Sequence, residues 1–493
     1  MERGEQNESA FRQGWAQTDI TPLGPVFIAG QFNARLSEGV LDPLSATVWA
    51  IQSGDDHAVF VCCDLVAIPD EMRAQIRDAV ERKKLPGLNS RAVILNATHS
   101  HAAPEIRTPS KTGGHTSSGG AGVELAEATP IQQYVDFAVG RIVEAIAAAW
   151  SRLAPGAVAY GWGTAVIGRN RRWVSDEGKS TMYNLKTSPD SRFRHIEGGE
   201  DHSLNVMATY DEAGKLTGLI INVPCPSQKS EHLYQISADY WCETRKLLRS
   251  QYGEELFILP QCSAAGDLSP HLLLDSGPYA RMLKLKGRTE RDEIASLLVG
   301  AINDIVPYIR DTREANPVVK LSLGQLDLPA NRLTEQDAIE AEQEAERLLG
   351  VFEQEKRKLE EQPELRAKDR WYVAASAAYR RANWFMNVRR RYEYQKTCDT
   401  LPAEVNVIRI GDVALATVPF ELYLDFGNQM KIRSVAKQTF VVQLAGGGTY
   451  LPSPRSVQGG GYGSVPASNP LGPEGGQVIA DHVTEQIGKL MDG

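Results

Sequence analysis

The chain has 493 residues, of which 42% are hydrophobic and 23% are charged, as in an ordinary globular enzyme. A net charge of −9 argues against nucleic acid and anionic membrane surfaces as partners. No run is apolar enough to predict a membrane span, and six cysteines are too few for a disulfide scaffold. The polar first residues contain no secretory signal, so we expect a cytoplasmic protein unless a signal peptide has been removed. Composition leaves the oligomeric state open.

The first hundred residues predict strands that alternate with a helix. Residues 14–22 are predicted as a short edge strand, and residues 44–53 and 57–65 as two neighbouring strands. Residues 71–84 have helical periodicity, and the apolar, β-branched run 93–95 is typical of a buried strand. This alternation predicts an α/β fold in which a parallel or mixed sheet is covered by helices.

A segment in the second half of the chain has a different composition. Residues 333–396 are rich in Glu, Lys, Arg, Ala and Gln, with apolar residues at helical spacing, and predict one or two long helices. An aromatic cluster lies in the second half of this segment, and core packing is favoured for it over the lining of a binding cleft. The cluster consists of Trp371, Tyr372, Tyr379, Trp384 and Phe385.

Two histidines follow the strand predicted at 93–95. In an extended chain, side chains two residues apart share a face, so His99 and His101 are expected to leave the strand end together. A divalent metal often takes its first ligands from such a pair. For an isolated His-x-His, a pair that only forms hydrogen bonds is the common alternative.

Other polar residues come at predicted strand ends or in glycine-rich loops. Arg171 lies either in a solvated turn or in a clamp for an anion or a carbonyl group. Glu421 follows a very apolar strand, and we expect a cation to pair with it. Glycine clusters near Tyr450 and Tyr462 indicate backbone held close to a site. Asp64 either orients a metal ligand or caps the next helix, and capping is favoured.

Two further stretches have no single interpretation. Cys225 stands between two prolines after the predicted strand 216–223, in a rigid loop that cannot continue a sheet. The stretch 106–129 is rich in Gly, Ser and Thr and contains His115. A loop that gates the substrate and a loop without function are equally compatible with this composition.

Six motifs in order make the chain resemble the catalytic domain of the neutral ceramidases, which are non-lysosomal zinc amidases. Each motif alone is weak, but six of them in the family's order are hard to obtain by chance. The resemblance is to a divergent member of this superfamily and not to a true ceramidase. The motifs are Gly14-x-x-x-x-Asp-Ile-Thr, Ala97-Thr-His-Ser-His101, Asn170-Arg171, Gly266-Asp-Leu-Ser-Pro270, Val418-Pro-Phe-Glu421 and the pair Tyr450 and Tyr462.

The resemblance implies layered mixed β-sheets with covering helices, and a site that holds Zn²⁺ or another divalent metal. It makes His99 the first histidine ligand, Glu421 the carboxylate ligand and Tyr450 the tyrosine ligand. It also implies catalytic roles for four residues. These are His101 in proton transfer, Arg171 near the substrate carbonyl, Tyr462 as a second active-site tyrosine, and Ser269 as a nucleophile, although stabilisation of its loop is favoured for Ser269.

The chain departs from the family at the second histidine ligand, whose position falls on Cys225. A cysteine thiolate is a competent zinc ligand. Glu231 and His232 are alternative ligands, and a metal-free protein with Cys225 as a small buried side chain is the third possibility. We expect a single domain over residues 1–493, with 333–396 as a helical insertion and no carboxy-terminal immunoglobulin-like domain. Such an insertion rebuilds the substrate cleft, so a long-chain lipid substrate is not expected.

The leading hypothesis is therefore a metal-dependent hydrolase. It would cleave an amide (N-acyl) or related bond of a polar substrate, sugar-containing substrates included, through a zinc-activated water. The alternative is a metal-assisted lyase on the same scaffold, which breaks a polysaccharide or oligosaccharide by β-elimination at a uronate. A non-catalytic binding protein is the third hypothesis. In each case the expected partner is a small molecule or an oligosaccharide.

Overall fold

The computed structural model describes residues 10–107, 121–125, 127–185 and 191–492. Most of the stretch 106–129, including His115, lies outside the described residues, so its predicted gating role stays a prediction. The strands of the described chain are β1 (Arg12–Asp19), β2 (Ser45–Ser53), β3 (Asp56–Cys63), β4 (Val93–Ala97), β5 (Ala154–Thr164), β6 (Arg169–Asn170), β7 (Arg172–Ser175), β8 (Ser180–Met182), β9 (Phe193–Ile196), β10 (Ser203–Asp211), β11 (Leu216–Val223), β12 (Phe257–Cys262), β13 (Leu268–Ser269), β14 (Val319–Pro329), β15 (Thr400–Ile410), β16 (Val413–Thr417), β17 (Glu421–Leu422), β18 (Gln438–Val442) and β19 (Tyr450–Leu451). The helices are α1 (Asp70–Lys83), α2 (Ile131–Ser151), α3 (Tyr240–Tyr252), α4 (Ser276–Lys286), α5 (Glu290–Asn303), α6 (Val306–Ile309), α7 (Glu335–Glu361), α8 (Val373–Tyr394), α9 (Leu424–Arg433), α10 (Pro454–Gly459) and α11 (Pro473–Asp492).

The largest sheet has eight strands in the order β12-β11-β10-β5-β1-β2-β3-β4. The outer pairs β11/β12 and β3/β4 are parallel and the inner pairs are antiparallel, so the predicted mixed sheet is confirmed. β1 lies between β5 and β2, but β5 pairs only with Arg12 and Gln13, so residues 14–19 of the predicted edge strand pair with β2 alone. Helix α2 packs directly on this strand at Gly14, where a Cβ atom would come within 2.1 Å of the Ala149 carbonyl oxygen.

A second sheet of four strands, β14-β15-β16-β18, packs face to face on the first. Trp15 and Trp49 of the first sheet share one buried cluster with Ile408 and Phe440 of the second. Helices α1, α2, α3 and α5 cover the other face of the first sheet. Helices α9 and α11 cover the other face of the second. The predicted fold class of layered mixed sheets with covering helices is thus confirmed.

The helical segment predicted at 333–396 forms the pair α7 and α8, which pack against each other. It connects β14 to β15, two strands that are themselves paired, and a capping box of Thr334 and Asp337 begins α7. Its status as an insertion, like the single-domain organisation and the lack of an immunoglobulin-like domain, stays a prediction. Of the described helices, none combines the length and apolarity needed to cross a bilayer.

Asp64 does not cap α1, which begins after Pro69 without a side-chain cap. Its carboxylate accepts two hydrogen bonds from Arg245 of α3, at 2.7 and 2.9 Å, and one from the Ser45 amide at 2.8 Å. Both members of this ion pair are buried. The pair therefore ties the end of β3 to the helix that covers it.

Replacing Asp64 with alanine is expected to lower the free energy of unfolding by about 3–5 kcal/mol, because Arg245 is then a buried charge without its counter-ion. Urea denaturation followed by circular dichroism measures this loss. The double variant Asp64→Ala/Arg245→Met is the control, and it should be more stable than Asp64→Ala alone. Equal stability of the wild type and the Asp64→Ala variant would show that the pair contributes nothing.

Candidate active site

A narrow cleft of about 50 Å³ lies where the chain leaves β4 and meets the short parallel pair β17/β19. In that pair, Glu421 is in register with Tyr450. The cleft therefore brings together residues that are far apart in the sequence. Its lining consists of Gly30, Gln31, Phe32, Val66, His99, His101, Arg107, Glu421, Tyr450 and Tyr462.

The two histidines meet in the cleft, but not by the predicted geometry. β4 ends at Ala97, and His99 has a left-handed backbone with φ of 63°, so the chain there is not extended. The Nε2 atoms of His99 and His101 are nevertheless only 3.2 Å apart. Nδ1 of His99 lies 2.7 Å from the Val66 carbonyl oxygen, which can only accept, so this nitrogen donates. The lone pair of a neutral His99 is consequently on Nε2 and faces the cleft.

The donor atoms in the cleft fit a divalent cation. Nε2 of His99 lies 3.4 Å from Oε2 of Glu421, so an imidazole lone pair faces a carboxylate oxygen. Two ligand atoms on one tetrahedral zinc ion are separated by about 3.4 Å when the bonds are about 2.1 Å long. The phenol of Tyr450 is carried by the strand that pairs with Glu421 and also lines the cleft. His99, Glu421 and Tyr450 are therefore the residues that could hold a metal here.

Arg171 is buried directly behind this group. Its guanidinium donates to the Tyr183 hydroxyl at 2.9 Å, the Gly266 carbonyl at 2.8 Å and the Tyr450 hydroxyl at 3.3 Å. One of its nitrogens is 3.8 Å from Oε2 of Glu421. Burial alone would lower the pKa of Arg171, but the neighbouring oxygens raise it well above its usual value. Arg171 is thus a permanent positive charge at the base of the cleft.

Two tyrosines and an aromatic wall complete the cleft. The rings of Tyr450 and Tyr462 lie 5.4 Å apart, and burial raises the pKa of Tyr462 to about 12. Both hydroxyls are therefore protonated near neutral pH unless a cation binds. Phe32 packs edge-on against Tyr462, and Trp384 of α8 contacts both rings. The predicted aromatic cluster thus supports the wall of the cleft through Trp384 rather than lining it.

Arg107 and Gln228 belong to this site but were not identified from the sequence. Arg107 lines the cleft and is paired with Glu105 at 2.9 Å. The amide nitrogen of Gln228 lies 3.0 Å from Nε2 of His101. Gln228 follows β11 by a few residues, in the loop that contains Cys225. The position of Gln228 after a strand end could have marked it as a site residue, but a single glutamine does not by itself indicate a particular chemistry.

The structure does not bring Cys225, Ser269 or His232 to the cleft lining. Cys225 is buried in a hydrophobic cluster, and its sulfur approaches the Ile167 and Pro226 carbonyl oxygens at 3.7 and 3.6 Å. Burial raises the pKa of the Cys225 thiol well above its usual value, which disfavours a thiolate. Ser269 accepts a hydrogen bond from the His271 amide at 2.9 Å, as expected for a residue that stabilises its loop.

Replacing Cys225 with alanine is therefore expected to leave metal binding unchanged and to cost about 1–2 kcal/mol of stability from lost packing. Metal content per chain and urea denaturation measure the two effects. Alkylation of Cys225 in the wild type should be slow both with and without a chelator, because burial rather than a metal protects the thiol. Alkylation that becomes fast only after chelation would instead favour the role predicted from the resemblance.

A second set of potential ligand atoms lies outside the cleft. Asp42, Cys242 and Glu243 place one ligand atom each within 4.8 Å of one another. The guanidinium of Arg291 already contacts Asp42 at 2.7 Å and Glu243 at 2.5 Å. Since a cation already neutralises both carboxylates, we interpret this group as an ion-pair cluster.

Comparison with solved structures identifies the fold. The chain is similar to neutral ceramidase from Pseudomonas aeruginosa, with a TM-score of 0.65 and 16% identity, over 98% of this chain and 75% of that one. It is equally similar to a structure described as ceramidase complexed with C2, with a TM-score of 0.64 and 16% identity, over 98% and 76% of the two chains. No family model matches the sequence. No curated protein matches it either.

The chain therefore has the fold of neutral ceramidase with a strongly diverged sequence, as the six motifs predicted. At 16% identity this similarity establishes the architecture and leaves the activity to the residues of the cleft.

Proposed function

We propose that this protein is a metal-dependent hydrolase that cleaves an amide or related acyl bond of a small polar substrate. One observation carries this proposal: Nε2 of His99 lies 3.2 Å from Nε2 of His101 and 3.4 Å from Oε2 of Glu421. The likeness to ceramidases, which are named for their action on an amide, supports the same class of bond.

His99, Glu421 and Tyr450 are the proposed metal ligands. When bound, a divalent metal supplies acidified water at neutral pH and polarises a carbonyl group. Burial lowers the pKa of His101 to about 4, so its imidazole is neutral at pH 7 and its Nε2 can accept a proton. Cys225 is left out of the proposed ligand set because its sulfur faces backbone carbonyls in a hydrophobic cluster.

The remaining polar groups fit the binding of a carbonyl oxygen. Tyr462 lines the cleft, and so does Tyr450, whose hydroxyl accepts a hydrogen bond from the Arg171 guanidinium at 3.3 Å. These groups would stabilise negative charge as it develops on the substrate oxygen. Tyr462 and Phe32 form one aromatic wall of the cleft, which suits stacking against a sugar ring. The small volume of the cleft, about 50 Å³, supports a compact polar group at the reacting centre.

Metal analysis combined with an activity screen tests this function. Protein purified without chelator is expected to contain one divalent metal per chain. It should hydrolyse short-chain acyl 4-nitroanilides, 4-nitrophenyl esters or N-acetylated amino sugars, and lose activity on chelation. A protein that binds no zinc or manganese and hydrolyses none of these probes would contradict the proposal.

A metal-assisted lyase is the second candidate because of Arg107. This arginine lines the cleft near Tyr462; Glu105 accepts from its Nε and one Nη, and its remaining Nη would bind the carboxylate of a uronate while a tyrosine or histidine removes the α-proton. The products separate the two reactions. Elimination generates an unsaturated sugar that absorbs in the ultraviolet, whereas hydrolysis does not. Binding of an oligouronate without turnover would favour the third candidate, a binding protein.

A further inference from the structure

The carboxylate of Glu231 lies between two imidazoles just outside the cleft. Oε2 of Glu231 is 3.3 Å from Nδ1 of His101, and Oε1 is 3.0 Å from Nε2 of His271. The side chain of Glu231 is only 22% exposed. Burial alone would raise the pKa of Glu231, but the two neighbouring histidines hold it well below its usual range. Glu231 is therefore ionised, and its carboxylate places a negative charge beside both rings.

The opposite nitrogen of His101 is constrained independently by Gln228. The side-chain oxygen of Gln228 lies 3.4 Å from a guanidinium nitrogen of Arg171 and 3.2 Å from the Tyr183 hydroxyl, and both of these groups donate. The amide nitrogen of Gln228 must therefore point the other way, towards Nε2 of His101 at 3.0 Å. Since this nitrogen donates, Nε2 of His101 accepts, and the ring proton is on Nδ1 beside Glu231.

The backbone around the two residues is also fixed. Arg35 is almost completely buried, and its guanidinium donates to the carbonyl oxygens of His101 at 2.6 Å and Glu231 at 2.5 Å. It also donates to the carbonyl of Leu233 at 2.8 Å. On the other side of the ring, a Cβ atom on Gly30 would come within 2.5 Å of Cγ of His101. One buried cation and one glycine thus hold the ring in place relative to the Glu231 carboxylate.

We propose that Glu231 is a positioning residue, whose carboxylate holds His101 with its proton on Nδ1 and thereby keeps Nε2 as the unprotonated nitrogen. This role rests on the proposed function, in which His101 Nε2 accepts a proton during hydrolysis. A carboxylate on Nδ1 also stabilises the imidazolium that results. Nε2 of His271 lies 3.0 Å from Oε1 of Glu231, and the Gln31 amide donates to Oε2 at 3.4 Å, the oxygen that lies beside Nδ1 of His101.

Two measurements on the complete protein test this role. The first is the tautomer of His101, read from long-range ¹H–¹⁵N spectra of protein labelled at histidine and assigned with the variant His101→Asn. We expect the wild type to have the proton on Nδ1. The variant Glu231→Gln should acquire a measurable fraction of the Nε2-protonated form, because a carboxamide can either accept from Nδ1 or donate to it. A wild-type ring protonated on Nε2, or identical spectra in the variant, would overturn the proposal.

The second measurement is the kinetics of Glu231→Gln on the best wild-type probe substrate. We expect kcat to fall by about 10- to 100-fold, with KM and the metal content unchanged. The matched control is Glu290→Gln, which removes the same charge from a carboxylate that contacts Lys229 at 2.6 Å and neither imidazole, and it should retain the wild-type kcat. Loss of the metal from Glu231→Gln would identify Glu231 as a ligand and overturn the positioning role, as would an unchanged kcat. If the wild type neither binds metal nor turns over, the proposed function fails, and the tautomer measurement still decides the role of Glu231.

Discussion

Replacing Glu421 with glutamine is expected to abolish stoichiometric metal binding and to lower kcat/KM by at least about 1000-fold, because without the metal the attacking water returns to its ordinary acidity. Two distances from Oε2 of Glu421 explain the expected loss of metal. Oε2 of Glu421 lies 3.4 Å from Nε2 of His99, and the guanidinium of Arg171 lies 3.8 Å from the same oxygen. A neutral carboxamide lowers the attraction for a cation next to that permanent positive charge. Metal content by mass spectrometry and turnover of the best probe substrate measure the effect.

The control for this variant is Glu404→Gln. Glu404 is a similarly enclosed carboxylate, 15% exposed against 12% for Glu421, but its partners are Arg77 at 2.6 Å and Arg73 at 3.8 Å. Its replacement should lower the stability and leave the metal content at the wild-type value. Equal metal contents in the Glu421→Gln variant and the wild type would remove Glu421 from the ligand set.

Replacing Arg171 with lysine is expected to lower kcat/KM by about 100- to 1000-fold while the metal stays bound. The charge is conserved, but an ammonium group cannot reproduce the simultaneous bonds of the guanidinium to Tyr183 at 2.9 Å, Gly266 at 2.8 Å and Tyr450 at 3.3 Å. The hydroxyl of Tyr450 then loses the donor that orients it towards the cleft. Steady-state kinetics and metal analysis on one preparation separate this effect from that of Glu421→Gln.

Arg169→Lys is the neighbouring control, because the guanidinium of Arg169 donates to the Gly168 carbonyl at 3.5 Å and does not line the cleft. It should behave as the wild type. A variant Arg171→Lys with wild-type kcat/KM would show that the guanidinium has no part in stabilising charge on the substrate.

Local patterns were sufficient for most of the fold. The strands 44–53, 57–65 and 216–223 were predicted from alternation and turns, and the structure has them at Ser45–Ser53, Asp56–Cys63 and Leu216–Val223. The place of a strand within its sheet was not predictable in the same way. Residues 14–22 resembled an edge strand, and residues 14–19 pair with β2 alone, but the start of β1 also pairs with β5, more than a hundred residues away in the chain. Pairing over such distances depends on packing that no local pattern records.

The site was predictable where a residue type is chemically distinctive. The sequence patterns indicate site roles for five residues that all line one cleft: His99, His101, Glu421, Tyr450 and Tyr462. Their catalytic and ligand roles stay predictions.

Residues that act through geometry were harder to find. Gln228 shares the loop of Cys225, but only the contacts with Arg171 and Tyr183 show which way its amide points. Cys225 was selected by its alignment with a family ligand, whereas burial among apolar side chains decides the environment of its sulfur. Such distinctions depend on which face of a loop is turned inward, and one sequence does not contain that information.

The most direct measurement of the central claim is the anomalous scattering of a crystal grown with Zn²⁺, recorded above and below the zinc absorption edge. If His99 and Glu421 hold the metal, we expect one strong anomalous peak within bonding distance of both Nε2 of His99 and Oε2 of Glu421. A crystal of catalytically active protein that shows no zinc peak between these two atoms, or shows one only at Asp42, Cys242 and Glu243, would contradict it.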